Sequence, residues 1–150
     1  MKRYNHFFLF LLFIFGACGE KKKQVVAEND IDAARSFIRA ALDGKFNEAR
    51  TYMLTDSVNS NWMDIAERNY QKADRDTKVG YASASINIHQ VSPVDDSTTV
   101  VIYSNSFKND HDTLKVIKQN EKWLIDLKYL FQHDEDSSSI KLIINDSIQK

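Results

Sequence analysis

The hydrophobic period of this chain changes once, near Gly80, and that switch restricts the fold more than any other feature. Before it, apolar residues recur every three or four positions; after it, they alternate. Over 30–42, Ile31, Ala34, Ile38 and Ala41 share one helical face, widened by Phe37 and Leu42, with Asn29 or Asp30 as cap and Gly44 as stop. A short helix is predicted over 46–54, with Phe46, Ala49 and Met53 inward. A third is predicted over 60–73, with Trp62, Ile65, Ala66 and Tyr70 as its buried edge. Alternation then predicts strands over 85–91, 98–104, 113–118 and 122–127. The breaks at 92–96, 109–112 and 119–121 carry turn residues and are too short for crossovers, so the strands form an antiparallel meander. Helices grouped before strands indicate an α+β domain with N-terminal helices on one face of a four-stranded sheet, which should curl around the aromatic side chains they bring.

The N-terminus reads as a separate signal. Lys2 and Arg3 precede the apolar run 7–15, whose nine residues fall short of the roughly 20 that a membrane span needs. Small residues follow in Phe15-Gly16-Ala17-Cys18. This arrangement resembles the lipobox of bacterial lipoproteins, with Phe15 where Leu is usual. The resemblance implies cleavage before Cys18, lipidation of its thiol and a membrane anchor that does not come off. Gly19, in place of Asp, implies the outer membrane facing the periplasm. Glu20 followed by Lys21-Lys22-Lys23, in place of an acidic cluster, makes cell-surface display the lesser expectation.

The division expected is therefore a signal peptide over 1–17, the lipidated Cys and a polar tether over 18–29, and an α+β domain over 30–131. An acidic linker and tail over 132–150 follow, whose segment 140–145 (IKLIIN) is strand-like. The whole chain holds 20 basic and 21 acidic side chains. Loss of Lys2 and Arg3 with the leader makes the remainder more acidic, so no nucleic-acid partner is expected.

The run Ala33-Ala34-Arg35-Ser36-Phe37-Ile38-Arg39-Ala40-Ala41-Leu42-Asp43-Gly44-Lys45-Phe46-Asn47-Glu48-Ala49 resembles the opening of small bacterial lipoproteins of unknown function with a nuclear-transport-factor-2-like domain. Asn120-Glu121-Lys122-Trp123-Leu124-Ile125-Asp126-Leu127 is similar to their closing strand, with Asn-Glu in place of an Asp-Gly type of turn. The resemblance implies a cone-shaped fold over about 30–131 whose interior, in some members, performs acid–base catalysis.

Several chemistries are excluded by residue type. Cys18 is the single cysteine, which removes disulfides and thiolate sites from the domain. Four glycines, at 16, 19, 44 and 80, cannot make a phosphate-cradling loop. HExxH, GxSxG and paired histidines at i, i+4 are absent, and neither Asp110-His111-Asp112 nor His133-Asp134-Glu135-Asp136 has calcium-loop spacing, so no metal or cofactor is expected. The residues able to line a cone are Tyr52, Trp62, Tyr81, His89 and Tyr103. Alternation sets His89 opposite Ile86 and Ile88, and Asp126 opposite Trp123, Ile125 and Leu127. Both would then face solvent if the apolar residues face the core. The leading expectation is non-enzymatic binding of a protein partner or a small apolar ligand, with a homodimer left open. The alternative is a dehydratase- or isomerase-like reaction using His89 or Asp126 with a tyrosine.

Overall fold

A computed structural model describes residues 27–129. The expected signal peptide, Cys18, most of the tether and the tail 132–150 lie outside these residues. The described chain runs α1 (Asp30–Leu42), α2 (Phe46–Ala49), a 3₁₀ turn (Arg50–Tyr52), α3 (Ser57–Lys72) and α4 (Arg75–Ser83). It continues into β1 (Ile86–Asp95), β2 (Thr98–Asn105), β3 (His111–Gln119) and β4 (Lys122–Asp126). The four strands pair antiparallel in the order β1-β2-β3-β4, an open meander preceded by its helices. The α+β expectation is thus met, with each strand within a few residues of its expected place.

The first helix begins and ends where the sequence marks it. Asn29 accepts from the Asp32 amide, and beyond Asp43 the chain turns through Gly44 at φ 72°. Gly44 and Lys45 donate back to the carbonyls of Ala41 and Ala40 at 3.0 and 2.8 Å, which satisfies the helix's last acceptors. Ala33, Ala34 and Ala40 are small enough to let α1 lie close against the sheet, where Phe37 and Ile38 meet Val101, Leu114, Val116 and Ile125. Each large side chain so buried contributes about 1.5–3 kcal/mol. Thr99 Oγ1 donates to Asp30 at 2.5 Å and fixes the start of α1 over β2.

Four boundaries differ from expectation for local reasons. The segment after α1 is helical only through Tyr52. Met53 is then extended and bridges Ile125 in parallel, with the Leu54 amide donating to Ile125 O at 2.9 Å. α3 starts at Ser57, three residues early, because Asp56 accepts from the amides of Val58 and Asn59. β1 continues through the expected turn to Asp95, and Pro93 is tolerated because β1 is an edge strand. The second hairpin turns over 106–109, not at Asp110-His111-Asp112. Asn105 accepts from the amides of Phe107 and Lys108, and Asn109 takes φ 58°, leaving His111 and Asp112 in β3.

Two helical features escape hydrophobic periodicity. α4 follows no clear apolar stripe. It is initiated by Asp74, which accepts from Thr77 N at 2.7 Å, and closed by Arg39, whose guanidinium donates to the carbonyls of Tyr81, Ala82 and Ala84. The buried edge of α3 is Asn59 and Met63, with Trp62, Ile65 and Tyr70 half-buried; Ala66, expected inward, is exposed. Asn59 is a pin. It donates to Asp56 at 2.7 Å and accepts from the Leu127 amide at 2.6 Å, joining the cap of α3 to the end of β4. Those bonds hold the Asp56 carboxyl at about 2, through the Asn59 amide and side chain first and the Lys128 ammonium after them.

Candidate functional site

The sheet has two unlike faces. Val101, Leu114, Val116 and Ile125 form the inner one, under the helices, and Tyr103, Asn105 and Asp112 extend it beyond the end of the apolar core. There α3 and α4 arch over the sheet and leave a cleft of about 480 Å³. Phe37, Ile38, Ala41 and Leu42 of α1 make one wall. Ala66, Asn69 and Tyr70 of α3, with Thr77 and Tyr81 of α4, make the other, and Phe46 closes one side.

A chain of aromatic contacts crosses this roof. Phe46 meets Tyr70 edge-on with centroids 5.4 Å apart, Tyr70 lies 6.4 Å from Tyr81, and Tyr81 meets Phe107 edge-on at 5.0 Å. Such edge-to-face pairs contribute about 0.5–1.5 kcal/mol beyond burial. Two glycines make room for it. A Cβ on Gly44 would run into the Tyr70 ring, and one on Gly80 into the Phe107 ring. Lys78 adds a cation above Tyr70, 5.8 Å from its centroid, and ties α4 to the Gln71 carbonyl of α3 at 2.9 Å.

One end of the cleft is polar. Tyr103 and Asp112 are direct cross-strand neighbours, and the phenol donates a hydrogen bond to the carboxylate. Burial pushes the Tyr103 phenol far above its ordinary value, and the Asp112 charge and hydrogen bond push the same way, so the group stays protonated and donates. Lys108, Asp110 and Asn105 stand at the same end. An apolar trough with a few convergent polar groups at one end, within the roughly 300–1,000 Å³ typical of small-molecule sites, suits a small ligand.

The expected lining residues separate. Tyr81 and Tyr103 line the cleft. Tyr52 lies in a shallower depression of about 380 Å³ beside Arg35, Arg39 and Lys45. Two of its cations are already engaged, since Arg39 and Lys45 both pair with Asp43, at 2.6 and 2.8 Å. Trp62 packs half-buried on the main core. His89 and Asp126 project from the outer face of the sheet, His89 to Ser104 and Asp126 opposite Lys115, so neither lines the cleft. Asp126 accepts from the Lys128 amide at 3.2 Å and from Asn59 at 3.4 Å, a chain-end role.

Tyr70, Asp112 and Lys108 are cleft residues that sequence reasoning passed over. Periodicity sets Tyr70 on the buried edge of its helix and places the other two in or near a turn. The available signal was Asn105, whose position just before Phe107 and Lys108 allows a side-chain-closed turn and would have released Asp112 to the strand.

Among the described residues no group of three or more His, Cys, Asp or Glu side chains is placed to hold a metal ion, and no helix is long and apolar enough to cross a membrane. No family model, curated protein or solved structure matches the chain.

Proposed function

We propose that this protein is a membrane-anchored lipoprotein whose α+β domain binds a small, largely apolar molecule non-enzymatically in the cleft beneath α3 and α4. The aromatic-roofed trough, apolar along its walls and polar at the Tyr103–Asp112 end, carries the reading. A hydroxyl or amine on the ligand would lie at the polar Tyr103–Asp112 end, while Tyr70 and Tyr81 cover its apolar body. Anchoring through Cys18, on the periplasmic side of the outer membrane, rests on Phe15-Gly16-Ala17-Cys18 and Gly19. The likeness to nuclear-transport-factor-2-like lipoproteins is supported by helices that precede and cover one face of an open antiparallel sheet. A cone-like shape belongs to the same proposal. An acid–base reaction in the cleft would have to do without His89 and Asp126, which lie elsewhere.

Native mass spectrometry of the full chain, released from membranes in mild detergent, tests this. Expected is a non-covalent adduct that disappears on denaturation, and that Ala41→Phe, which fills the trough from α1, eliminates while the protein stays folded. An adduct unaffected by Ala41→Phe would place the ligand outside the cleft. A bare chain throughout gentle purification would favour a protein partner.

A further inference from the structure

The outer face of the sheet holds a constellation unrelated to the cleft. His111 of β3 is the cross-strand partner of Ser104 of β2, and His89 of β1 reaches the same serine from the other side, its Nε2 2.8 Å from Ser104 Oγ. The two imidazoles therefore meet above the central strand, with ring centroids 4.2 Å apart and planes inclined by 35°. Both histidines are exposed, whereas Ser104 is only 1% exposed. A break in β1 register between Ile88 and Gln90 leaves His89 without a cross-strand partner, so that His89 and Gln90 both follow Ile88 on the outer side. Bulges of this kind re-aim single side chains.

We propose that His89 and His111 form a two-imidazole site for a borderline divalent transition-metal cation, Cu(II) foremost, with Ser104 as the positioning residue. Imidazole suits copper, nickel and zinc, and for a given nitrogen site copper(II) binds tightest. The fold has already brought two ligands from non-adjacent strands into ring contact, and their exposure leaves the remaining coordination positions to water. Ser104 supplies the device that metal-binding histidines ordinarily use. With the proton on Nε2 donated to the serine oxygen, His89 keeps an Nδ1 lone pair for the metal, and the buried hydroxyl fixes the ring. At metal–nitrogen distances near 2.0–2.1 Å, two nitrogens on one ion lie at most about 4.2 Å apart, a spacing that rings in contact reach by rotation of the His111 side chain.

The test is titration of the detergent-solubilised full chain with Cu(II) against a chromophoric chelator, read also by electron paramagnetic resonance. The sequence has four histidines; His6 leaves with the leader in the lipoprotein proposed above, so His133→Ala removes the other one outside the described residues and serves as the background. In that background one equivalent of Cu(II) should bind with a nitrogen hyperfine pattern from two imidazoles. His89→Ala and His111→Ala should each weaken binding at least about tenfold and reduce the pattern to one nitrogen, with the double variant little worse than either single one. Ser104→Ala should weaken binding by about tenfold, in the range seen for residues that orient a ligand. It should also shift the His89 ring ¹⁵N resonances away from the Nε2–H tautomer, which a merely structural loss would not do. Cu(II) affinity unchanged in a folded His89→Ala/His111→Ala protein would overturn the proposal, as would an Nδ1–H tautomer at His89 in the metal-free protein.

Discussion

Glu121 is the residue whose backbone sits least comfortably. The β3–β4 hairpin turns through Asn120 and Glu121 at φ 50° and 60°, a turn whose hand matches the strand twist but which asks both residues for left-handed backbone. Asn tolerates that region; Glu, with a full Cβ, does so at a cost of about 1 kcal/mol. The compensating ion pair to Lys118, at 3.2 Å, joins a Glu that is 91% exposed and adds little. Glu121→Gly should therefore raise the urea midpoint, the unfolding free energy growing by about 0.5 kcal/mol once the greater freedom of glycine in the unfolded chain is subtracted. A lower midpoint would mean that the ion pair outweighs the strain. Asp56 gives the complementary case in acid. Its carboxyl titrates at about 2 in the folded protein against 3.8 ordinarily, so the stabilisation it brings is complete above pH 4 and fades as pH falls through the folded value. In acid titrations followed by circular dichroism, Asp56→Asn should show a shallower loss of stability between pH 4 and 2 than the parent. Parallel curves would indicate that the carboxylate is as well held in the unfolded chain.

Among the elements, α4 leans most visibly on contacts from outside itself. Phe107, from the β2–β3 turn and 42% exposed, lies against the bare backbone of Gly80 and edge-on to Tyr81. Gly80→Ala should gain intrinsic helix propensity yet loosen the element, because the new methyl displaces the Phe107 ring. Amide hydrogen exchange is expected to quicken in α4 and in residues 105–109 and to stay unchanged in α1 and β3. Exchange slowed throughout α4 would show that helix propensity outweighs the contact. The same helix shows where sequence reading runs out. α1 was legible to the residue, because its stripe, cap and Gly44 stop agree with one another. The strands were legible because alternation follows from half-burial. α4 was hidden because its support comes from elsewhere in the chain: Arg39 caps its carbonyls from α1, and Phe107 packs on it from a hairpin. The cleft was half legible for a related reason. Tyr81 and Tyr103 could be named as residue types, but Tyr70 reaches them through ring contacts and the space that Gly44 leaves, and Asp112 is set beside Tyr103 by β-register. The pair His89 and His111, far apart in sequence, is joined by nothing but strand pairing.

For the whole molecule, the two sheet faces and the anchor expected at Cys18 make separable predictions. The cleft opens under the helices while the histidine pair lies on the opposite face, so ligand in one and metal on the other should bind without excluding each other. Cys18→Ser should abolish incorporation of labelled palmitate and move the protein from the membrane to the soluble envelope fraction. Its domain should keep the same circular dichroism spectrum. Label retained in the Cys18→Ser protein would refute lipidation at that residue.

The irregularity of β1 bears on how such molecules live side by side. Among the described residues its outer edge has no strand partner, and ten residues of unpaired backbone would ordinarily template another chain. Here Pro93 withholds one donor, and register breaks after Ile88 and Pro93 put the remaining groups out of step. A neighbouring copy meets no continuous ladder on which to grow. Copies anchored to a membrane through Cys18 as proposed, where collisions between edges are frequent, would crowd together without polymerising into fibres.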